Sequence, residues 1–275
     1  MTNATIETSA KSGLQYMTTG DGFRMAYRVD GPVNGPVLVL ANSIATTMHM
    51  WDGQIAELTK HFRVIRYDYR GHGASDTPAG PYSIDRMGRD AIELLDRLNI
   101  DRVHFLGLSF GGAVAQWLGI HAPERIDRLV LSNTSSYLGP ADSWNGLIAS
   151  LRKDGDLTPF ADMFVGNWFP PQLLKTENPL VASFRSMVLA TRPEGLAGLF
   201  AAIRDMDLRR TVTLIGSPTL VIAGRYDTVT LPSHGEMLAA SVPNSKLITL
   251  PAVHLSNIER SDEFLGAVLE FLLAN

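Results

Sequence analysis

The sequence predicts an α/β protein, with a mostly parallel central sheet flanked by helices and a helical insertion after the sixth strand. Three observations predict it. Short runs rich in Val, Ile and Leu alternate with longer stretches of helical period, as expected of a parallel sheet covered by helices. The first two strand-like runs, LQYMTTG and FRMAYRVD, are joined through Asp21-Gly22, a hairpin signal that makes the start of the sheet antiparallel. From about residue 137 to residue 210, helical segments and Pro/Gly breaks follow one another without a buried strand, and the strand rhythm then resumes.

Taken in order, VLVLAN is a buried strand because its apolar run is continuous, as in a strand covered on both faces. A helix near 51–60, the strand FRVIRYD and a helix over 82–98 follow. VHFLGL is the next strand; the chain after it takes a helical pattern from 110 to about 121 and returns in the strand IDRLVLSN. Beyond the insertion come the strand TLVIAGRYD, a helix near 232–242, the strand KLITL and an amphipathic helix from about 259 to 273. The expected organisation is one core, residues 1–136 and 211–275, carrying a helical lid at 137–210. No internal repeat or low-complexity tract interrupts it.

Composition narrows the function. A chain of 275 residues suits one large domain, and its 45% apolar and 19% charged residues are ordinary for a globular protein. A net charge of −4 with scattered basic residues argues against nucleic acid or an acidic membrane as partner. The absence of cysteine excludes disulfides, thiolate metal sites and cysteine nucleophiles, and is compatible with a reducing compartment. The polar opening MTNATIETSAKSG does not resemble a secretory signal and reads as a short mobile arm. No apolar run approaches the roughly 20 residues needed to span a bilayer, because VLVLANSIA is broken by Asn42 and Ser43. A cytoplasmic location is expected.

The stretch GLSFG, residues 107–111, sits where an apolar strand gives way to a helix. It matches G-x-S-x-G, the turn that projects a serine hydroxyl from the end of a sheet. Glycine is needed on both sides because the backbone is strained and neighbouring chain approaches closely. A serine alone is a poor nucleophile at neutral pH and needs a base, itself oriented by a carboxylate. Asp227 follows the strand TLVIAG and His254 follows KLITL, each just past the carboxyl end of a strand, where sites gather in such sheets. In this reading Ser109 is the nucleophile, His254 the general base and Asp227 its orienting acid. Taken singly, Asp227 is equally a turn residue and His254 a loop histidine; order and setting together favour catalysis.

The remaining histidines, at 49, 61, 72, 104, 121 and 234, lack metal-ligand spacing. No metal or cofactor is expected. His72, in RGHGASD, reads as a shaper of a Gly-rich turn, with Asp68 and Asp76 as flanking caps. An oxyanion needs about two positioned N–H donors, and Phe110, directly after Ser109, supplies the first from the head of its helix.

These residues resemble the α/β-hydrolase superfamily, and more closely the bacterial 3-oxoadipate enol-lactonases. The resemblance runs nearly end to end, through AYRVDGP, LANSIATTMHMWD, FRVIRYDYRGHGASDTPAGPYSID, GLSFGGAVAQWLGIHAPERIDRLVLSNT, NWFP and HLSNIERSDEF. The Asn-Ser loop with Met50-Trp51-Asp52, and HLSNIER at the histidine, are its more particular marks. The resemblance implies a second oxyanion donor in the loop after the third strand. Many superfamily members carry His-Gly where this chain has Asn42-Ser43, which puts that donor on the Ile44 amide. The Ser43 hydroxyl is either a further substrate donor or a loop-shaping group. The enol-lactonase branch often has Asn-Ser-Leu-Gly here, so Ala45 replaces a usual glycine.

The implied activity is cofactor-independent hydrolysis of a small-molecule lactone or ester through an acyl-enzyme, with 3-oxoadipate enol-lactone as substrate. A carboxylesterase or another lactonase with the same triad, a C–C bond hydrolase, and a non-catalytic hydrolase-fold binding protein remain open. In the lid, Trp144, Phe164, Trp168 and Phe169 are candidate cavity lining. Arg152, Lys153, Arg185 and Arg192 are candidates to meet a substrate carboxylate. Oligomeric state is not legible in the sequence.

Overall fold

The computed structural model describes residues 13–274; the N-terminal arm expected from the sequence lies outside the described residues except for its last position. Among the described residues eight strands form one sheet. They are β1 (Gln15–Thr18), β2 (Arg24–Asp30), β3 (Val37–Ala41), β4 (Arg63–Tyr67), β5 (Val103–Leu108), β6 (Ile126–Ser132), β7 (Thr219–Gly224) and β8 (Ser245–Leu250). Their order is β1-β2-β4-β3-β5-β6-β7-β8. β1 pairs antiparallel with β2 and β2 antiparallel with β4, while every other pairing is parallel. The hairpin turns at Asp21-Gly22, where Gly22 has φ 84° and donates its N–H to the Thr19 carbonyl.

The continuous apolar runs of β3, β5 and β7 are buried on both faces because helices cover the sheet. In the core these are α1 (Asp52–Leu58), α2 (Ile84–Arg97), α3 (Phe110–His121), α9 (Pro232–Ser241), α10 (Ser256–Glu259) and α11 (Ser261–Leu273). The α2 helix begins at Ser83, whose hydroxyl accepts the Arg86 N–H, and buries Met87, Ala91, Leu94 and Leu95 on the stripe that a 3.6-residue period requires. The last helix expected from the sequence forms as α11, preceded by the short α10 that the sequence reading does not include. Arg260 leaves the helical conformation and its guanidinium donates to the Pro251 carbonyl, which separates α10 from α11.

Between β6 and β7 the chain forms five α-helices, a short 3-10 turn (Val212–Leu214) and no strand: the α-helices are α4 (Ala141–Asp154), α5 (Thr158–Trp168), α6 (Pro171–Leu174), α7 (Pro179–Ala190) and α8 (Pro193–Asp205). They bury aromatic side chains of their own, with Phe164 stacked on Trp168 and Trp144 against Phe200.

The sheet order reverses at β3. From it the chain runs to β4 on one side, and β5 then lies on the other, which opens a crevice at their carboxyl ends. The turn from β5 into α3 closes this crevice tightly. A Cβ on Gly107 would stand 2.0 Å from the Gly111 carbonyl oxygen, and one on Gly111 would stand 2.2 Å from the Ala41 carbonyl oxygen. Both obstacles are backbone and cannot rotate away. Gly107→Ala is therefore expected to destabilise the protein by about 3 kcal/mol or more, lowering Tm by roughly 6–12 °C in a thermal melt. An unchanged melt would show that the turn relaxes at no cost.

Candidate active site

Ser109 occupies the first position after β5, with φ 58° and ψ −117°, a combination side chains rarely adopt. Backbone bonds hold it there. Its N–H donates to the Ser132 carbonyl at 2.9 Å, and its carbonyl accepts the Gly112 N–H at 2.9 Å and the Thr134 hydroxyl at 2.7 Å. The residue is 9% exposed and lines a cavity of about 240 Å³.

Asp227 and His254 arrive from the loops after β7 and β8, and both are buried. His254 Nδ1 lies 2.9 Å from Asp227 Oδ2. A carboxylate only accepts, so Nδ1 carries the proton and Nε2 of the neutral ring is left as a base. The carboxylate is saturated. Oδ1 accepts the Val229 and Thr230 amides at 2.8 and 3.0 Å, while Oδ2 also accepts the Thr230 hydroxyl at 2.7 Å and the Asn133 amide at 3.0 Å. Burial alone would raise its pKa, but the facing His254 and the bonds from Asn133 and Thr230 outweigh burial and hold it at about 2. His254 and Ser109 line the same cavity.

Asn133 and Thr230 were not among the residues the sequence singled out. Asn133 follows β6 with φ 43°, and its side chain joins three elements of the site: it donates to Asp227 and to the Val253 carbonyl, and accepts from the Ser256 hydroxyl at 2.6 Å. The only sequence signal is a polar run, Asn133-Thr134-Ser135, directly after a buried strand on the catalytic edge.

Phe110 and Ile44 also line the cavity. Among the described residues neither amide donates to a protein acceptor, as the two donors of an oxyanion hole require. The first turn of α3 is tied to the loop carrying Ile44, because Gly111 N–H donates to the Asn42 carbonyl at 3.0 Å. Ser43 is not brought into the lining. It is fully buried, its N–H meets Met50 Sδ at 3.1 Å and its carbonyl accepts the Thr46 hydroxyl at 2.7 Å, while its own hydroxyl has no partner among the described residues. Backbone bonding thus sets its place in the loop, and direct substrate contact finds no support in the lining.

Of the aromatic residues expected to face substrate, Trp144, Phe164 and Trp168 line the cavity. Phe169 does not; it packs edge-on against Phe184 at 5.4 Å. The cations considered for a substrate carboxylate lie elsewhere. Arg152 and Lys153 are exposed at the end of α4, Arg185 pairs with Asp162 at 2.9 Å, and Arg192 lines a separate groove beside Asp21 and Asp76. Among the described residues the lining of the Ser109 cavity contains no Asp, Glu, Lys or Arg. Nor does any group of three or more His, Asp or Glu among them stand close enough to hold a metal ion, and no helix is long and apolar enough to cross a membrane.

The sheet order, a serine at the β5–α3 turn and an Asp–His pair delivered by the last two strand loops together define a hydrolase-fold enzyme class. The family described as alpha/beta hydrolase fold matches residues 36–261, and the chain belongs to it. Within that family it is similar to 3-oxoadipate enol-lactonase 2 of Acinetobacter baylyi, with 38% identity over 250 residues covering 91% of this chain and 93% of the other. A solved hydrolase from Pseudomonas aeruginosa PA01 is 57% identical and superposes with a TM-score of 0.94, covering 96% of this chain and 100% of that one. The enol-lactonase from Burkholderia xenovorans LB400 is 37% identical, with a TM-score of 0.91 over 94% of this chain and 100% of its own. The resemblance read from the sequence blocks is found again in these relatives.

Proposed function

We propose that the protein opens a small lactone or ester by serine catalysis through an acyl-enzyme. The observation that carries this reading is the buried Asp227–His254 pair, which leaves His254 Nε2 as a base at the cavity that Ser109 lines. Ser109 Oγ attacks the carbonyl carbon while His254 Nε2 takes its proton, and the oxyanion forms against the amides of Ile44 and Phe110. Collapse expels the alcohol or enol oxygen, which takes the proton from His254. Water then attacks the acyl-enzyme with His254 again as base and frees the acid. In a lactone the expelled oxygen remains part of the acyl chain, and an enol so released ketonises. Residues 137–210 act as a lid inserted into a core of 1–136 and 211–275, with Trp144 and Trp168 against the substrate.

The relatives' names make 3-oxoadipate enol-lactone the first substrate to test. A second reading, an uncharged ester or lactone, is favoured by the charge-free lining, since a buried carboxylate without a cation is costly. Rates on the enol-lactone and on a short p-nitrophenyl ester separate the two. A kcat/KM at least about tenfold higher on the lactone supports the first reading, because one hydrogen bond to its charged carboxylate, which the ester lacks, is worth that much or more. The opposite order supports the second. A fluorophosphonate is expected to label the wild-type protein and not Ser109→Ala; absence of labelling would favour a binding protein.

A further inference from the structure

The sequence marks the Gly-rich loop after β4 as a turn whose local backbone shape matters. In the structure it reaches across to the loop that carries Ile44. Ala45, next to Ile44, has φ 58°, the left-handed region in which a side chain costs about 1–2 kcal/mol. Something must hold it there. Its N–H donates to His72 Nε2 at 3.2 Å, and both residues are buried. His72 Nδ1 lies 3.0 Å from the Arg70 carbonyl, which only accepts, so Nδ1 carries the proton and Nε2 offers its lone pair to Ala45. Burial keeps the ring neutral by pushing its pKa down to about 4.

A second grip lies four residues before His72 in the chain. Asp68 Oδ1 accepts the Met48 N–H at 2.7 Å, and its other oxygen accepts the Ala74 N–H at 2.9 Å. Gly73 lets the loop fold over this carboxylate, since a Cβ there would stand 2.1 Å from Asp68 Oδ2. Tyr69, between the two grips, donates its hydroxyl to the Asn42 carbonyl at 3.2 Å and meets the Phe110 ring edge-on at 5.4 Å. One hydrogen bond each of His72, Asp68 and Tyr69 ends on residues 42–48, at Ala45, Met48 and Asn42, and the Tyr69 ring also meets the other proposed donor residue.

We infer that His72 is a positioning residue for the reaction: by accepting the Ala45 N–H it holds a strained backbone that aims the Ile44 amide at the developing oxyanion. This rests on the serine reading above. The contribution belongs to the transition state, because the negative oxygen exists only there, so its loss falls on kcat with KM little changed.

The test compares His72→Leu with His72→Gln, two side chains of similar bulk of which only glutamine can accept a hydrogen bond. End-point labelling by a fluorophosphonate counts folded sites, and kcat is expressed per labelled site. His72→Leu is expected to lower kcat about 10- to 100-fold, somewhat less than deletion of an oxyanion donor outright. His72→Gln should stay within about fivefold of wild type, by the 1 kcal/mol worth of one neutral hydrogen bond. Adding Ala45→Gly to His72→Leu should restore about fivefold, because glycine adopts the left-handed backbone without help. Equal kcat in the Leu and Gln variants, or a Leu deficit that Ala45→Gly leaves untouched, would overturn the inference. Retained activity in Ser109→Ala would instead overturn the serine reading, and this inference with it.

Discussion

Ser109→Ala is expected to lower kcat by about a million-fold, the scale at which serine hydrolases lose turnover when the nucleophile is removed. The fold should not change. What holds position 109 is backbone: its N–H on Ser132, its carbonyl on Gly112 and the Thr134 hydroxyl. Alanine keeps all three bonds and the same strained φ. In the proposed mechanism the missing Oγ is the atom that bonds to the acyl carbon, so orientation by His254 does not compensate. The measurements are turnover on whichever substrate the wild type prefers and a thermal melt. A variant that melts like wild type and retains more than about a thousandth of its kcat would exclude the covalent route, because positioning and oxyanion binding alone leave only the much smaller residual catalysis.

The elbow was legible because its requirements are local. Gly107 and Gly111 are dictated by backbone atoms within the same turn and the neighbouring strand, and a strand-to-helix switch around Ser109 is written in five residues. Asp227 and His254 were legible for a different reason. In a parallel sheet every strand delivers its following loop to the same edge, so strand count alone places them together.

Asn133 was not legible. Its position depends on β6 lying beside β7, where its N–H donates to the Ile222 carbonyl, and on a left-handed backbone that turns its amide toward Asp227. A polar residue after a strand carries no mark of either. The same holds for His72, whose partner Ala45 is distant in sequence and whose chemistry is to accept one amide. Nor could the four candidate cations be sorted. Arg185 is bonded to an aspartate 23 positions away, and only packing decides whether a helical side chain meets a cavity or solvent.

Asp227→Asn is expected to lower kcat by about ten-thousand-fold, the loss seen when a triad carboxylate becomes an amide and the histidine tautomer is reversed. The hydrogen bonds explain why. Asp227 accepts from the Val229 and Thr230 amides on one oxygen and from Thr230 Oγ1, Asn133 and His254 on the other. An asparagine has one oxygen. If it stays on the two backbone amides, its NH₂ faces the Asn133 amide and His254 Nδ1, donor against donor. His254 relieves this by moving its proton to Nε2, which then turns an N–H instead of a lone pair toward the Ser109 cavity and cannot act as base. Stability should follow as well. Because the folded pKa of Asp227, about 2, lies below the ordinary carboxylate value of 3.8, the ionised group stabilises the fold fully above that value. Wild type loses this contribution as pH falls toward 2, whereas the amide lacks it at every pH. Melts of the two proteins should therefore differ most near neutrality and converge in acid. A variant within tenfold of wild-type kcat would mean that His254 keeps its tautomer without the carboxylate, and that the orienting role belongs to Thr230, whose hydroxyl stands 3.3 Å from the same nitrogen.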